Sequence, residues 1–307
     1  MHPHGDDSIR FKIKTLQELE ALDPLFTARF VVIDDECPDN SGLMARTIIE
    51  NEYPEAYKTG RYKVLFLGSA IEEKDPDLPS GLTHKSGSNR SVKGGALLFG
   101  MRSTVNDIKD GLYILIDNDA DLSLHPALTG ILIEDILSGK SKVVAASRRE
   151  PDSVSIIGGT RNTRGQFFIK IWRYLLPELA KIIKDTNRAF KAFESEALKQ
   201  ILNRIEIYTF PYQIELLQAC ISHGIPLLKR GISYIDSEAA STQSGSDITE
   251  TYLNQIRQII DIALRYHTIN PNDKLLRFFL SISEEEWMKI ENNPPEDLMD
   301  LINSVGA

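Results

Sequence analysis

The chain of 307 residues is poor in cysteine, in long apolar runs and in positive charge. Its only two cysteines, Cys37 and Cys220, stand far apart with no second pair. That excludes a disulfide framework and a zinc cage and leaves two ordinary buried or half-buried thiols. No apolar run approaches the roughly 20 residues needed to cross a bilayer. The polar start, MHPHGDDSIR, has no apolar signal-peptide centre, so a cytoplasmic protein is expected, with His2 and His4 read as part of a mobile terminus. Lysine and arginine number 35 against 44 acids, a net charge of −9, so neutralising nucleic acid is not its main business and any phosphate site must be local. Internal repeats and low-complexity tracts are absent as well. What is present is a core: 42% hydrophobic residues suffice for one large α/β domain with additions.

Runs of strand character at Arg10–Lys14, Arg29–Ile33, Tyr62–Leu67, Leu112–Ile116 and Lys142–Ala146 alternate with helical patterns at Leu16–Leu22, Gly42–Asn51, Gly95–Val105 and Pro126–Ser138. The alternation predicts a Rossmann-like α/β fold, a mostly parallel sheet flanked by helices, with a doubly wound nucleotide-binding first half. Glu72–Arg90, rich in Asp, Pro, Gly, Ser and Lys, reads as a long loop. From Asp247 the spacing turns helical, predicting a C-terminal helical extension.

In YILIDNDADLSLHP an apolar strand runs into Asp117, Asp119 and Asp121. Carboxylates at a strand's carboxyl end face the crevice where open α/β sheets bind ligands. Such hard oxygen donors suit Mg²⁺ or Mn²⁺ bridged to phosphate; a polar turn is the competing explanation. A second acidic strand end, FVVIDDECPDNSG, offers Asp34 and Asp35 to a nucleobase or ribose, or simply a turn in which Asp39, Asn40 and Ser41 cap the next helix. In NRSVKGGALLFG, Lys93, Gly94 and Gly95 precede a helix and suit close approach to a phosphate or a uracil-like ring, although the Walker spacing is absent.

Taken in order, VVIDDECPDNS, VKGGALLFGM, DADLSLHP, DTNRAFKAF and YTFPYQIELLQACISHG resemble a family 2 glycosyltransferase with the GT-A fold, nearest to the dolichyl- and polyprenyl-phosphate sugar synthases. The resemblance implies a GT-A domain over residues 1–240, its nucleotide-sugar half at about 10–150 and its acceptor half at about 151–240, with residues 241–307 outside it. It also implies that Asp119 and Asp121 ligate the metal, that Asp34 or Asp35 with Lys93 and Gly94 contacts the nucleoside, and that Arg148 and Arg161 contact phosphates. The family's Pro-Thr-Tyr-Asn after its first strand is missing, replaced by FKIKTLQELEAL, and Glu36-Cys37 replaces Gly-Ser.

Family members that activate a hydroxyl place an Asp where this chain has Gln213, and Gln is no base at neutral pH. Members of the polyprenyl-phosphate branch also carry Gln, because an ionised phosphate needs no deprotonation. The resulting expectation is metal-dependent, inverting transfer from a nucleoside-diphosphate sugar to an anionic, phosphate-type acceptor, lipid-linked or soluble. The alternatives are Glu215 as general base, a retaining enzyme on a small soluble acceptor, and a non-catalytic nucleotide- or partner-binding protein. The apolar faces of Tyr252–His267 and Leu275–Leu280 suit the core, a second subunit in a homodimer, or a prenyl chain with peripheral membrane contact.

Overall fold

Where the first strand was expected, the chain opens with a helix. The computed structural model describes residues 5–109, 111–156, 161–186, 188–235, 252–290, 295, 296, 298 and 300, with side chains from Asp7 in the first helix and from Phe167 in the helix that begins at Arg161. Helix α1 spans Gly5–Leu22 and absorbs both the Arg10–Lys14 strand and the Leu16–Leu22 helix of the sequence reading. The alternation in FKIK misleads because three of the inward-facing residues, Ser8, Lys12 and Thr15, are polar and carry no apolar signal. Their spacing is helical, not two-residue.

After α1 the chain forms β1 (Phe30–Asp34), α2 (Ser41–Glu52), α3 (Pro54–Lys58), β2 (Tyr62–Phe66), α4 (Leu67–Glu73), α5 (Gly94–Asn106), β3 (Ile114–Ile116), α6 (Thr129–Leu137) and β4 (Val143–Ser147). Strands β1 to β4, with α2, α5 and α6 between them, follow the expected alternation. Then come β5 (Val154–Ile156), α7 (Arg161–Leu175), α8 (Pro177–Ile182), β6 (Lys191–Glu194), α9 (Ser195–Leu202), α10 (Tyr212–Ser222), β7 (Leu227–Gly231) and β8 (Ser233–Ile235). Helices α11 (Tyr252–Arg265), α12 (Lys274–Ser281) and α13 (Glu284–Ile290) close the described chain.

The fold is α/β, with a mostly parallel arrangement of strands flanked by helices. Strand β1 runs parallel to β2, β4 to β7, and β5 to β8. Strand β6 is the exception, antiparallel between β3 and β4 in a four-stranded sheet of order β3-β6-β4-β7. The run VVAAS of β4 shows why these strands are continuously apolar: Val143 and Ala145 face the main core with α5, α7, α9 and α10, while Val144 and Ala146 face a second cluster built on Leu132 and Ile136 of α6. With both faces covered, Val143 to Ala146 are apolar throughout, and Ser147 at the strand's end is satisfied by Glu150.

Helices α11 and α12 turn their apolar faces into the main core, where Leu253, Ile256, Ile259, Leu275 and Phe279 are inaccessible to solvent. Trp287 of α13 stacks on Phe167 at 5.8 Å between ring centroids. Those faces therefore pack, and do not stand open to a prenyl chain. No helix among the described residues is long and apolar enough to cross a membrane.

Candidate active site

The carboxyl end of β3 delivers three aspartates into three different settings. Asp117 is buried, and its Oδ1 accepts the Lys191 amide at 2.6 Å. Burial pushes its carboxyl above the usual range, while the Lys191 ammonium pulls it back. Asp119 faces positive charge: Oδ1 pairs with Lys93 Nζ and Oδ2 with Arg188 Nη1 at 3.3 Å. Burial alone would raise this carboxyl, but Lys93 and Arg188 outweigh it and hold it below the usual range. Asp121 uses Oδ1 to accept from Ser123 N at 3.0 Å and Ser123 Oγ at 2.5 Å, and its Oδ2 makes no hydrogen bond among the described residues. Behind the loop, the carbonyls of Asp119 and Ala120 are held by Lys12 Nζ and Ser8 Oγ of α1.

The other acidic strand end divides its labour. Asp34 is a turn anchor: it accepts from Cys37 N at 3.1 Å and from Gly42 N at 3.0 Å, doing from a distance the capping expected of Asp39, Asn40 and Ser41. Asn40 occupies the cap position with φ 55 and no side-chain cap bond. Asp35 turns the other way. Its Oδ2 accepts from Ser91 Oγ at 3.0 Å and Lys93 N at 3.1 Å, while Oδ1 is buried without a partner. Burial raises its carboxyl. Glu36 ties the long loop down by binding His84 Nδ1 at 2.6 Å and Lys85 N at 2.8 Å.

Lys93 takes a left-handed backbone, φ 70, which lets its amide reach Asp35 and its ammonium reach Asp119. Gly94 serves that turn by packing: a Cβ there would lie 2.7 Å from the Thr209 carbonyl oxygen. The turn hangs on Tyr208, whose carbonyl accepts from Val92 N at 3.0 Å and Gly95 N at 2.9 Å.

On the far side, Arg148 is pinned to Asp185 by two bonds of 2.5 and 3.0 Å. Arg148 and Arg188 both lie over the Tyr234 ring, at 5.1 and 4.1 Å. Arg188 is followed two residues on by Phe190 at φ 81, a strained backbone for a bulky residue. The turn is tethered: Phe190 N donates to the Asp117 carbonyl at 2.8 Å, and Lys191 Nζ donates to the Arg188 carbonyl. Gln213 lies inside this scaffold, accepting from Lys191 Nζ at 2.6 Å and donating to Tyr212 Oη at 3.0 Å. Glu215 has no solvent exposure and accepts from Glu206 N, from Ile207 N at 2.8 Å and from Arg265 Nη1 at 2.5 Å. The side chains of Arg161 and Arg164, like His2 and His4, lie outside the described residues.

No protein-family model and no curated protein sequence matches the chain. The solved structures that match include several complexes of one enzyme. It is a glucosyl-3-phosphoglycerate synthase from Mycobacterium tuberculosis. With Mn²⁺ and UDP-glucose it is 16% identical, covers 84% of each chain and has a TM-score of 0.49. With phosphoglyceric acid it is 14% identical, covering 84% of this chain and 85% of that one, at a TM-score of 0.47.

Two expectations are corrected here. Nearness to the dolichyl- and polyprenyl-phosphate sugar synthases does not hold, since the matching synthase is crystallised with a small phosphate-bearing molecule, phosphoglyceric acid. Inverting transfer to an already ionised phosphate falls with it. Its residue basis was Gln213, whose side chain is bound within the fold by Lys191 and Tyr212.

Of the residues the sequence brought into view, Asp35, Lys93 and Asp119 are linked by hydrogen bonds, and Asp121 follows two residues on, bound to Ser123. Arg188 lies within DTNRAFKAF, one of the segments that carry the family resemblance, and its pairing with Asp119 has no signal in the sequence. Lys12 and Ser8 were missed: Lys12 falls in the Arg10–Lys14 run read as a strand and Ser8 in the polar stretch before it, although the two stand at helical spacing.

Proposed function

We propose that the chain is a metal-dependent glycosyltransferase that takes a sugar from a nucleoside-diphosphate donor and passes it, with retention, to a small phosphate-bearing acceptor. The observation that carries the reading is Asp119, a carboxylate kept ionised at a strand's carboxyl end between Lys93 and Arg188. An acid flanked by two cations suits a ligand that brings both a divalent metal and several phosphate oxygens. Among the described residues no group of three or more metal-binding side chains comes together. Asp119 with the unbonded Oδ2 of Asp121 fits a Mg²⁺ or Mn²⁺ whose other ligands are phosphate oxygens and water. When bound, the metal supplies charge neutralisation to the departing diphosphate.

The chain's own groups then have distinct tasks. Asp35 Oδ1, buried and unpartnered, accepts an N–H from the nucleobase. Lys93 and Arg188 hold diphosphate oxygens. Arg149 follows the pinned Arg148, and its Nε is buried without a partner, which suits the acceptor's phosphate.

Retention is supported by Gln213 and Glu215, neither of which is placed to act as a base. Glu215 is committed to two backbone amides and Arg265, and Gln213 cannot take a proton. The remaining acceptor for the hydroxyl proton is the donor's own leaving phosphate oxygen. The acceptor oxygen therefore bonds to the anomeric carbon on the face from which the carbon–phosphate oxygen bond breaks, and the proton passes to that departing oxygen.

The test is hydrolysis of a panel of nucleotide sugars with Mg²⁺ or Mn²⁺, begun with UDP-glucose, then transfer to 3-phosphoglycerate with the product's anomeric configuration read by NMR. Turnover with retention is expected. An inverted product would refute the proton path, and no binding of any nucleoside diphosphate with Mn²⁺ would refute the enzyme reading.

A further inference from the structure

Helix α1 stands where the sequence led us to expect a strand, and its contacts with the Asp119–Asp121 loop exceed what burying an apolar stripe requires. Ser8 and Lys12, one helical turn apart and only 3% and 6% exposed, reach two consecutive carbonyls of the loop: Ser8 Oγ binds the Ala120 oxygen and Lys12 Nζ the Asp119 oxygen. Between them Phe11 meets His125 edge to face at 5.1 Å, further along the same loop. Holding two successive carbonyls fixes the peptide planes on either side of Ala120. The Cα atoms of Asp119 and Asp121 are the outer corners of those planes, so their carboxylates hang from a frame that α1 sets.

A buried lysine is an expensive way to satisfy one carbonyl. An apolar side chain would dock the helix, as Ile13 does beside it against Ile49 and Tyr62.

We propose that Ser8 and Lys12 are positioning residues for the donor site: α1 clamps the loop so that Asp119 and Asp121 are presented to the metal–diphosphate together. The inference rests on the glycosyltransferase reading for its ligand, but the clamp itself is testable without one.

Three variants separate clamping from simple helix docking. Lys12→Met and Ser8→Ala remove the carbonyl contacts, while Ile13→Ala weakens α1 docking without touching the loop. Hydrogen exchange of the ligand-free protein comes first: Lys12→Met should speed exchange of the amides at 120–123 at least tenfold beyond any change in Ile13→Ala. Calorimetry with UDP and Mn²⁺ comes second: Lys12→Met should weaken binding at least tenfold, Ser8→Ala by less, and Lys12→Arg should recover part of the loss. Ile13→Ala should lower the unfolding midpoint yet leave the affinity of the folded protein unchanged.

Wild-type exchange in Lys12→Met would overturn the clamp, whatever the ligand. Equal losses of affinity in Ile13→Ala and Lys12→Met would overturn it too, since docking alone would then suffice. If exchange responds as expected but the unaltered chain binds no nucleoside diphosphate, the clamp stands and the donor reading fails.

Discussion

Two strand ends in this molecule look alike in sequence and are put to different use. After β1 the apolar run leads to Asp34, and after β3 it leads to Asp117 and Asp119. Asp34 spends both oxygens on amides of its own turn and of α2. Asp119 spends both on side-chain cations drawn from α5's approach and from the turn before β6. A carboxylate satisfied by local amides holds a turn, whereas one satisfied only by side-chain cations can exchange them for a ligand. Partners, not position, separate the acid that holds a turn from the one proposed to meet the donor.

The comparison can be broken most sharply at Asp119. Asp119→Asn should cut affinity for UDP with Mn²⁺ by about 1,000-fold, in line with removing a main electrostatic element of a site; calorimetric binding equal to the unaltered chain's would sink the distinction. Glu215→Gln, which leaves Arg265 without its buried counter-charge, should instead lower stability by about 3 kcal/mol in a denaturant melt. The affinity of the folded protein should not move. Asp34→Ala should likewise act on stability, by about 1–2 kcal/mol, through the lost cap on α2; a selective loss of nucleotide binding with an unchanged melt would place Asp34 on the ligand side.

The smallest effect is expected from pH. Asp185 is buried, which would raise its carboxyl, but Arg148 overrides this and holds it below the ordinary range. Because the folded chain holds that proton less tightly than the unfolded one, the contribution is complete above about pH 4 and is lost as pH falls through the lowered value. Melts taken from pH 6 to pH 2 should show Asp185→Asn with a flatter acid limb than the unaltered chain. An unchanged slope would mean the pair with Arg148 does not discriminate the folded state.

Much of this was legible because it is periodic. The doubly covered strands read as continuous apolar runs, as VVAAS shows, and α2, α5 and α6 follow helical spacing. What stayed hidden depends on contacts between distant residues. Nothing in FKIK reveals that Lys12 meets a carbonyl 107 residues away. Gly94 reads as a phosphate approach, yet its small size fits the Tyr208–Thr209 backbone. Gln213 matched a family position, and only the buried Lys191 beside it shows that its amide is spent inside the fold.

The Tyr208 carbonyl, from which two amides of the Lys93 turn hang, gives the C-terminal helices a reach beyond their own packing. Gln258 of α11 receives the Thr209 hydroxyl at 2.6 Å, and Arg265 at the helix's end answers Glu215, which in turn grips the amides of Glu206 and Ile207. Shortening the chain at residue 240 would remove Gln258 and Arg265 together with the α11 and α12 faces that close the main core. The tail acts as a keystone of the core as well as a brace behind the Lys93 turn, and its removal should be felt first as lost stability.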